Sequence, residues 1–215
     1  MYSNEPYFSV VSSEVAPFTF KFCGWSHESK TSYVQLRTKV THINIFNKPS
    51  LMQYSKSEER LSLLEEMEAE FDKKNVDYFR KLLKHEDYVI RTRAVCILAD
   101  IAGEDAVDPI GDVLLNDPDG LVRHEAAFSL GQMGFRRAIQ VLGKAVESDE
   151  NPFVRHEAAV ALGVIGSQEA RNILERALDD KSEEVRESAI IALSNLDYVV
   201  QMKDSNSKFA KMTGG

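Results

Sequence analysis

Two His-Glu pairs, His124-Glu125 and His156-Glu157, stand 32 residues apart inside two nearly identical phrases, LVRHEAAFSLGQMG and FVRHEAAVALGVIG. Imidazole nitrogens and carboxylate oxygens are the side-chain donors that first-row transition metals take from proteins. Two histidines and one carboxylate that leave coordination positions open are the arrangement of non-haem Fe(II) oxygenases. Nothing else in the chain suggests chemistry as strongly. No glycine-rich phosphate loop, nucleotide fingerprint or serine-nucleophile constellation is present, and the two cysteines, Cys23 and Cys96, make neither a disulfide framework nor a metal spacing.

The elements that position these pairs are repeats. Arg91, Arg123, Arg155 and Arg186 recur at intervals of 32, 32 and 31 residues, each after a β-branched residue (Ile90, Val122, Val154, Val185) and ahead of a small, apolar run. Gly103, Gly134 and Gly166 close three of the runs, where a helix C-terminus favours glycine. Shorter helical patterns lie between them, over about 75–84, 105–115, 136–147 and 168–179. The turns NDPDG (116–120) and DENP (149–152) interrupt the chain and supply N-cap residues. A helical hairpin used four times is a solenoid, in which each repeat buries its neighbour's apolar face. The tetratricopeptide and ankyrin signatures are absent. The VRxxAAxALGxIG pattern resembles the short HEAT-like repeats also found in phycobilin lyases.

At about 100° per residue, Val122, Ala126, Ala127, Leu130 and Met133 form one stripe, and His124 and Glu125 straddle the opposite pole. Val154, Ala158, Ala159, Leu162 and Ile165 repeat the stripe, with His156 and Glu157 opposite. Second helices line the concave wall of a stacked array, so equivalent residues of neighbouring repeats lie about 8–10 Å apart. Two histidines at that separation can reach one metal at about 2 Å. Gly131 and Gly163 follow each histidine by seven residues on the same face. They either keep the wall beside the ligands open or allow close helix packing.

Comparison between the repeats separates scaffold from function. The arginine occurs in all four, which makes it structural, as an ion pair or a packed stem. The His-Glu pair occurs only in the second and third; the first and fourth carry Thr92-Arg93 and Glu187-Ser188 there. An ordinary polar pair on a solvated face is the plain alternative for one repeat, and a weaker one for two in register. The array holds three histidines (His85, His124, His156), two of them in these pairs.

These phrases closely resemble deoxyhypusine hydroxylase, a HEAT-repeat di-iron monooxygenase built of two similar halves with four repeats each and His-Glu motifs in the middle two. The resemblance covers residues 75–198, and HEAAFSLGQMGFRRAIQVL and RHEAAVALGVIG carry it. It implies His124, His156 and Glu157 as ligands to one Fe(II). Glu125 would lie beside the metal, as a substrate-binding catalytic group, an orienting group or an alternative ligand. It further implies O₂ as co-substrate and deoxyhypusine, a modified lysine on a translation factor, as substrate. The chain matches one half of that plan, with two motifs rather than four. A homodimer would restore the di-iron centre, and two-fold dimers are the commonest oligomers. A HEAT-repeat scaffold binding a protein or peptide on its concave face, without chemistry, is the alternative; a bilin lyase-like chaperone is a weaker one.

The rest of the chain bounds this reading. Five Lys/Arg face three Asp/Glu in residues 1–51, against 21 and 31 in residues 52–215. An acidic array repels nucleic acid and favours a cationic partner, although solubility alone would explain the charge. No run of 18 apolar residues and no signal-peptide pattern occurs, so no membrane is expected, and the cysteine usage suits the cytoplasm. The expected organisation is all-α: an N-terminal helix over 52–72, four HEAT-like hairpins over 73–198 and a polar tail over 199–215. Residues 1–51 hold β-type segments (FTFKF, YVQLRTKV) that suit a small hairpin or a poorly ordered extension. A translation start at Met52 is a third possibility.

Overall fold

The computed structural model describes residues 51–202; the expectations for residues 1–50 of the extension and for residues 203–215 of the polar tail (199–215) lie outside the described residues. Within them the chain forms nine α-helices: α1 (Leu51–Asp72), α2 (Val76–Leu82), α3 (Tyr88–Ile101), α4 (Val107–Asn116), α5 (Gly120–Met133), α6 (Ile139–Ser148), α7 (Pro152–Ile165), α8 (Arg171–Ala177) and α9 (Glu183–Met202). Four hairpins, α2/α3, α4/α5, α6/α7 and α8/α9, stack in order, and α1 packs against α3 at the start of the array. Each second helix packs on the second helix of the next hairpin, and these contacts are more extensive than those between first helices.

The helix ends follow from local chemistry. The side chains of Asp87, Asp119 and Asn151 accept from the backbone N–H two residues on and start α3, α5 and α7. Gly134 and Gly166 end α5 and α7 with φ of 70° and 66°, a conformation that costs glycine nothing and other residues strain. The expected stripe is the core. Val122, Ala126, Ala127 and Leu130 of α5 are buried, as are Val154, Ala158, Ala159 and Leu162 of α7.

The repeated arginines stitch successive turns together. Arg123 Nε and Nη2 donate to Asp149 Oδ2 and Oδ1 at 2.8 and 3.0 Å, and its Nη1 donates to the Asp117 carbonyl at 2.9 Å. Arg91 makes the same fork to Asp117, and Arg155 to Asp180. The Arg155 guanidinium holds the Asp180 carboxyl below its ordinary range. Each of these aspartates also accepts from the backbone N–H two residues later, at Asp119, Asn151 and Ser182. Position six before the arginine is therefore an aspartate wherever a preceding repeat offers an arginine. In the first repeat it is His85, whose Nδ1 accepts from Asp87 N at 3.0 Å. His85 is a turn residue and takes no part in the His-Glu motif.

Gly131 and Gly163 turn out to serve packing. A Cβ on Gly131 would stand 2.8 Å from Ala161 Cβ and 2.9 Å from its Cα, and one on Gly163 would meet Ala192 at the same distances. The second helices can approach this closely only because these positions lack side chains. Gly163→Ala gains about 1 kcal/mol of helix propensity, yet it forces backbone apart. Overpacking of about 1–3 kcal/mol is expected to outweigh the gain. Urea unfolding should give a lower midpoint for Gly163→Ala than for the parent, and an unchanged or higher midpoint would refute the packing role.

Candidate functional site

The site lies on the second-helix face, where α5 and α7 run side by side. In each helix the alanines after the motif anchor the buried side of the turn, so His124-Glu125 and His156-Glu157 are left on the opposite side, half-buried. The stacking does not align the pairs residue for residue. Instead the imidazole of one repeat reaches the position one residue later in the next repeat. His124 Nε2 lies 3.3 Å from Glu157 Oε2, with side-chain exposures of 34% and 12%. One repeat further, His156 Nδ1 lies 2.6 Å from Ser188 Oγ of α9, and Ser188 is buried. One repeat earlier, the Cys96 thiol of α3 donates to Glu125 Oε1 at 3.0 Å.

The four residues singled out from sequence therefore belong to one polar ladder across four repeats: Cys96 with Glu125, His124 with Glu157, His156 with Ser188. The structure brings His124 and Glu157 together directly. It turns His156 toward Ser188 and Glu125 toward Cys96. Among the described residues no group of three or more His, Cys, Asp or Glu side chains is gathered tightly enough to hold a metal ion. Cys96 and Ser188 were not legible as site residues. They stand in repeats without the motif, and the one-residue offset that recruits Ser188 is set by how the helices stack.

The electrostatics follow from the contacts. The hydrogen bond to Glu157 raises the His124 pKa above 6.5; burial opposes this, and the charges of Glu157 and Glu125 add to the rise. The folded protein thus favours protonated His124. Its contribution to stability is fully present below the unfolded value and is lost as pH rises through the folded value. His124→Gln should therefore cost more stability at about pH 5.5 than at about pH 8.5. Equal losses at the two pH values, by urea denaturation, would contradict the pairing. The same proton competes with a metal for Nε2, so metal binding at this pair should weaken as pH falls.

Residues 107–194 match the HEAT repeats family. Among solved structures the chain is similar to human deoxyhypusine hydroxylase in complex with glycerol, at 33% identity and a TM-score of 0.56, covering 60% of this chain and 46% of that one. The chain thus spans about half the length of the human enzyme. An engineered protein is similar at 22% identity and a TM-score of 0.42, covering 65% of this chain and 76% of its own. The CpcE–CpcF complex of phycocyanin lyase from a Nostoc species is similar at 19% identity and a TM-score of 0.40, covering 65% and 74%. No curated protein matches the sequence. Residues 107–194 thus carry HEAT repeats, and the array is similar to part of deoxyhypusine hydroxylase. Among the described residues, no helix is long and apolar enough to cross a membrane.

Proposed function

We propose that this HEAT-repeat chain is a deoxyhypusine hydroxylase-like non-haem iron monooxygenase. In this reading His124, His156 and Glu157 hold one Fe(II) per chain. A two-fold homodimer, concave face to concave face, brings two irons together. The substrate is a modified lysine on a translation factor, met in the cytoplasm. The observation that carries the reading is the contact of His124 with Glu157 across two repeats, in phrases that resemble the hydroxylase.

The donor chemistry fits the group. His124 Nε2 and a Glu157 carboxylate oxygen already converge, which is half of a small-ion coordination set. His156, the third donor of this set, is turned to Ser188 instead, and among the described residues no three such groups are gathered tightly enough to hold a metal ion. The resemblance to one half of a two-halved enzyme supports a second copy as the source of the second iron. Iron bound there would supply the activation of O₂, one oxygen atom entering a substrate C–H bond and the other leaving as water with two electrons and two protons from an external reductant.

The chain's own residues do the rest. Glu157 neutralises the charge of the pocket and orients the His124 ring. Glu125, with Cys96 donating to its Oε1, is a carboxylate that can accept from the ammonium of a lysine-derived side chain. It would hold that cation so that the carbon to be oxidised faces the metal. The acidic array around the site favours a cationic substrate over nucleic acid. Glu125→Gln should keep its iron and lose about tenfold or more in substrate affinity or rate, because a hydrogen bond to a charged group is worth about 1.5–3 kcal/mol. The assay is one oxygen added to a deoxyhypusine-bearing translation factor, read by mass. Parent-like turnover by Glu125→Gln would assign the residue a structural role. Bound iron with no oxygen added by the parent would remove the substrate from the proposal.

One observation favours a second reading. Each imidazole has a polar partner within the chain, Glu157 for His124 and Ser188 for His156. A scaffold that binds a cationic protein or peptide on this face needs no more than that. Metal content separates the two readings.

A further inference from the structure

The fourth repeat, which lacks the His-Glu motif, supplies a buried serine, Ser188, that meets the His156 ring. Ser188 is buried at 4% exposure and its Oγ has two polar neighbours. One is the Glu184 carbonyl, 2.7 Å away on the preceding turn of α9, and the other is His156 Nδ1 at 2.6 Å. A serine hydroxyl carries one hydrogen and can accept through its lone pairs, whereas a carbonyl oxygen can only accept. The hydroxyl hydrogen is therefore committed to Glu184, within its own helix. For the second contact to be a hydrogen bond as well, the hydrogen must sit on His156 Nδ1.

We infer that Ser188 is a positioning residue that holds neutral His156 as the Nδ1–H tautomer and leaves the Nε2 lone pair as the ring's donor atom. This rests on the metal-site reading for its purpose and on the Ser188 geometry for its substance. His156 Nε2 has no hydrogen-bond partner among the described residues. A metal-ligating histidine is commonly fixed through its other nitrogen, and loss of such a partner typically lowers metal affinity about 10–100-fold. His124 has no equivalent: the corresponding position of the next repeat is Glu157, which meets its Nε2 directly. The two histidines are thus equivalent in sequence and differently held in the fold.

His85 provides an internal contrast. Its Nδ1 accepts from the Asp87 N–H, so when neutral it is the Nε2–H tautomer. The test uses the full chain, metal-free, with ¹⁵N-labelled histidine rings observed by NMR at a pH where they are neutral. His156 is assigned by the loss of its signals in His156→Gln. The parent should show His156 as Nδ1–H and His85 as Nε2–H. Ser188→Ala, which keeps the volume of this small buried site nearly unchanged, should move His156 toward the Nε2–H tautomer, and Ser188→Thr should restore the parent pattern. Fe(II) affinity should drop about 10–100-fold in Ser188→Ala and recover in Ser188→Thr. A parent His156 that carries its hydrogen on Nε2, or a tautomer unchanged by Ser188→Ala, overturns the inference. A parent that binds no iron yet shows the tautomer shift upholds Ser188 as the residue that sets the ring and overturns the metal reading instead.

Discussion

Arg123→Ala is expected to lower the stability of the array by about 3–5 kcal/mol, the usual cost of removing one partner of a buried ion pair. The guanidinium is 8% exposed and Asp149 is 7% exposed, so the substitution leaves a desolvated carboxylate without its cation. It also leaves the Asp117 carbonyl without the Nη1 donor that joins the turn to the helix. At roughly 2–4 °C per kcal/mol for a chain of this size, the thermal midpoint should fall by about 10 °C. Arg176→Ala breaks a pair with Glu147 whose side chains are 60% and 45% exposed, and should cost less than about 1 kcal/mol. Removing Asp149 together with Arg123 should recover part of the loss, because no buried charge is then stranded. Chemical denaturation of the four proteins checks the order. Equal losses from Arg123→Ala and Arg176→Ala would show that the repeated fork does not hold the turns together.

The second large effect concerns the ladder. His124→Ala removes the nitrogen that meets Glu157, and His156→Ala removes the only imidazole of the third repeat. Each should strip most of the iron and with it the oxygen-adding activity. Neither should disturb helicity, because both side chains are only half-buried and lie away from the core stripe. The proposal also requires two copies to meet. Sedimentation should show a dimer at working concentration, with activity per chain falling on dilution. A monomer that keeps full activity when diluted would separate the iron site from the dimer. Folded, helical variants that keep the parent's iron would remove these histidines from the site.

Much of the scaffold could be read from the sequence because it repeats. An arginine every 31 or 32 residues, followed by alanines and closed by glycine, has few physical solutions other than a stack of hairpins, and three of the four arginines form ion pairs, one of the two roles expected of them, while Arg186 donates to the Asp180 carbonyl. Their partners were hidden in the turns. NDPDG and DENP read as N-cap chemistry, and Asp119 and Asn151 do cap, but Asp117 and Asp149 in the same turns are the carboxylates of the forks. Gly131 and Gly163 admitted two explanations that only an interhelical distance could separate. The candidate site was legible as four residues on one face. Which atom of each meets which neighbour was not, because the offset between helices comes from stacking and does not appear in any repeat read alone. Ser188 shows the consequence. A position that looks like loss of the motif in the fourth repeat is the one that holds the histidine of the third.

The central claim is that this face binds iron through the two repeats that carry the motif. Elemental analysis of the full chain, loaded with Fe(II) without oxygen and then freed of excess, tests it most directly when metal is counted per chain. The account predicts about one iron per chain in the parent and a small fraction of that in His124→Ala and His156→Ala, all three equally helical. A parent that retains no iron, or variants that retain as much as the parent, would contradict it.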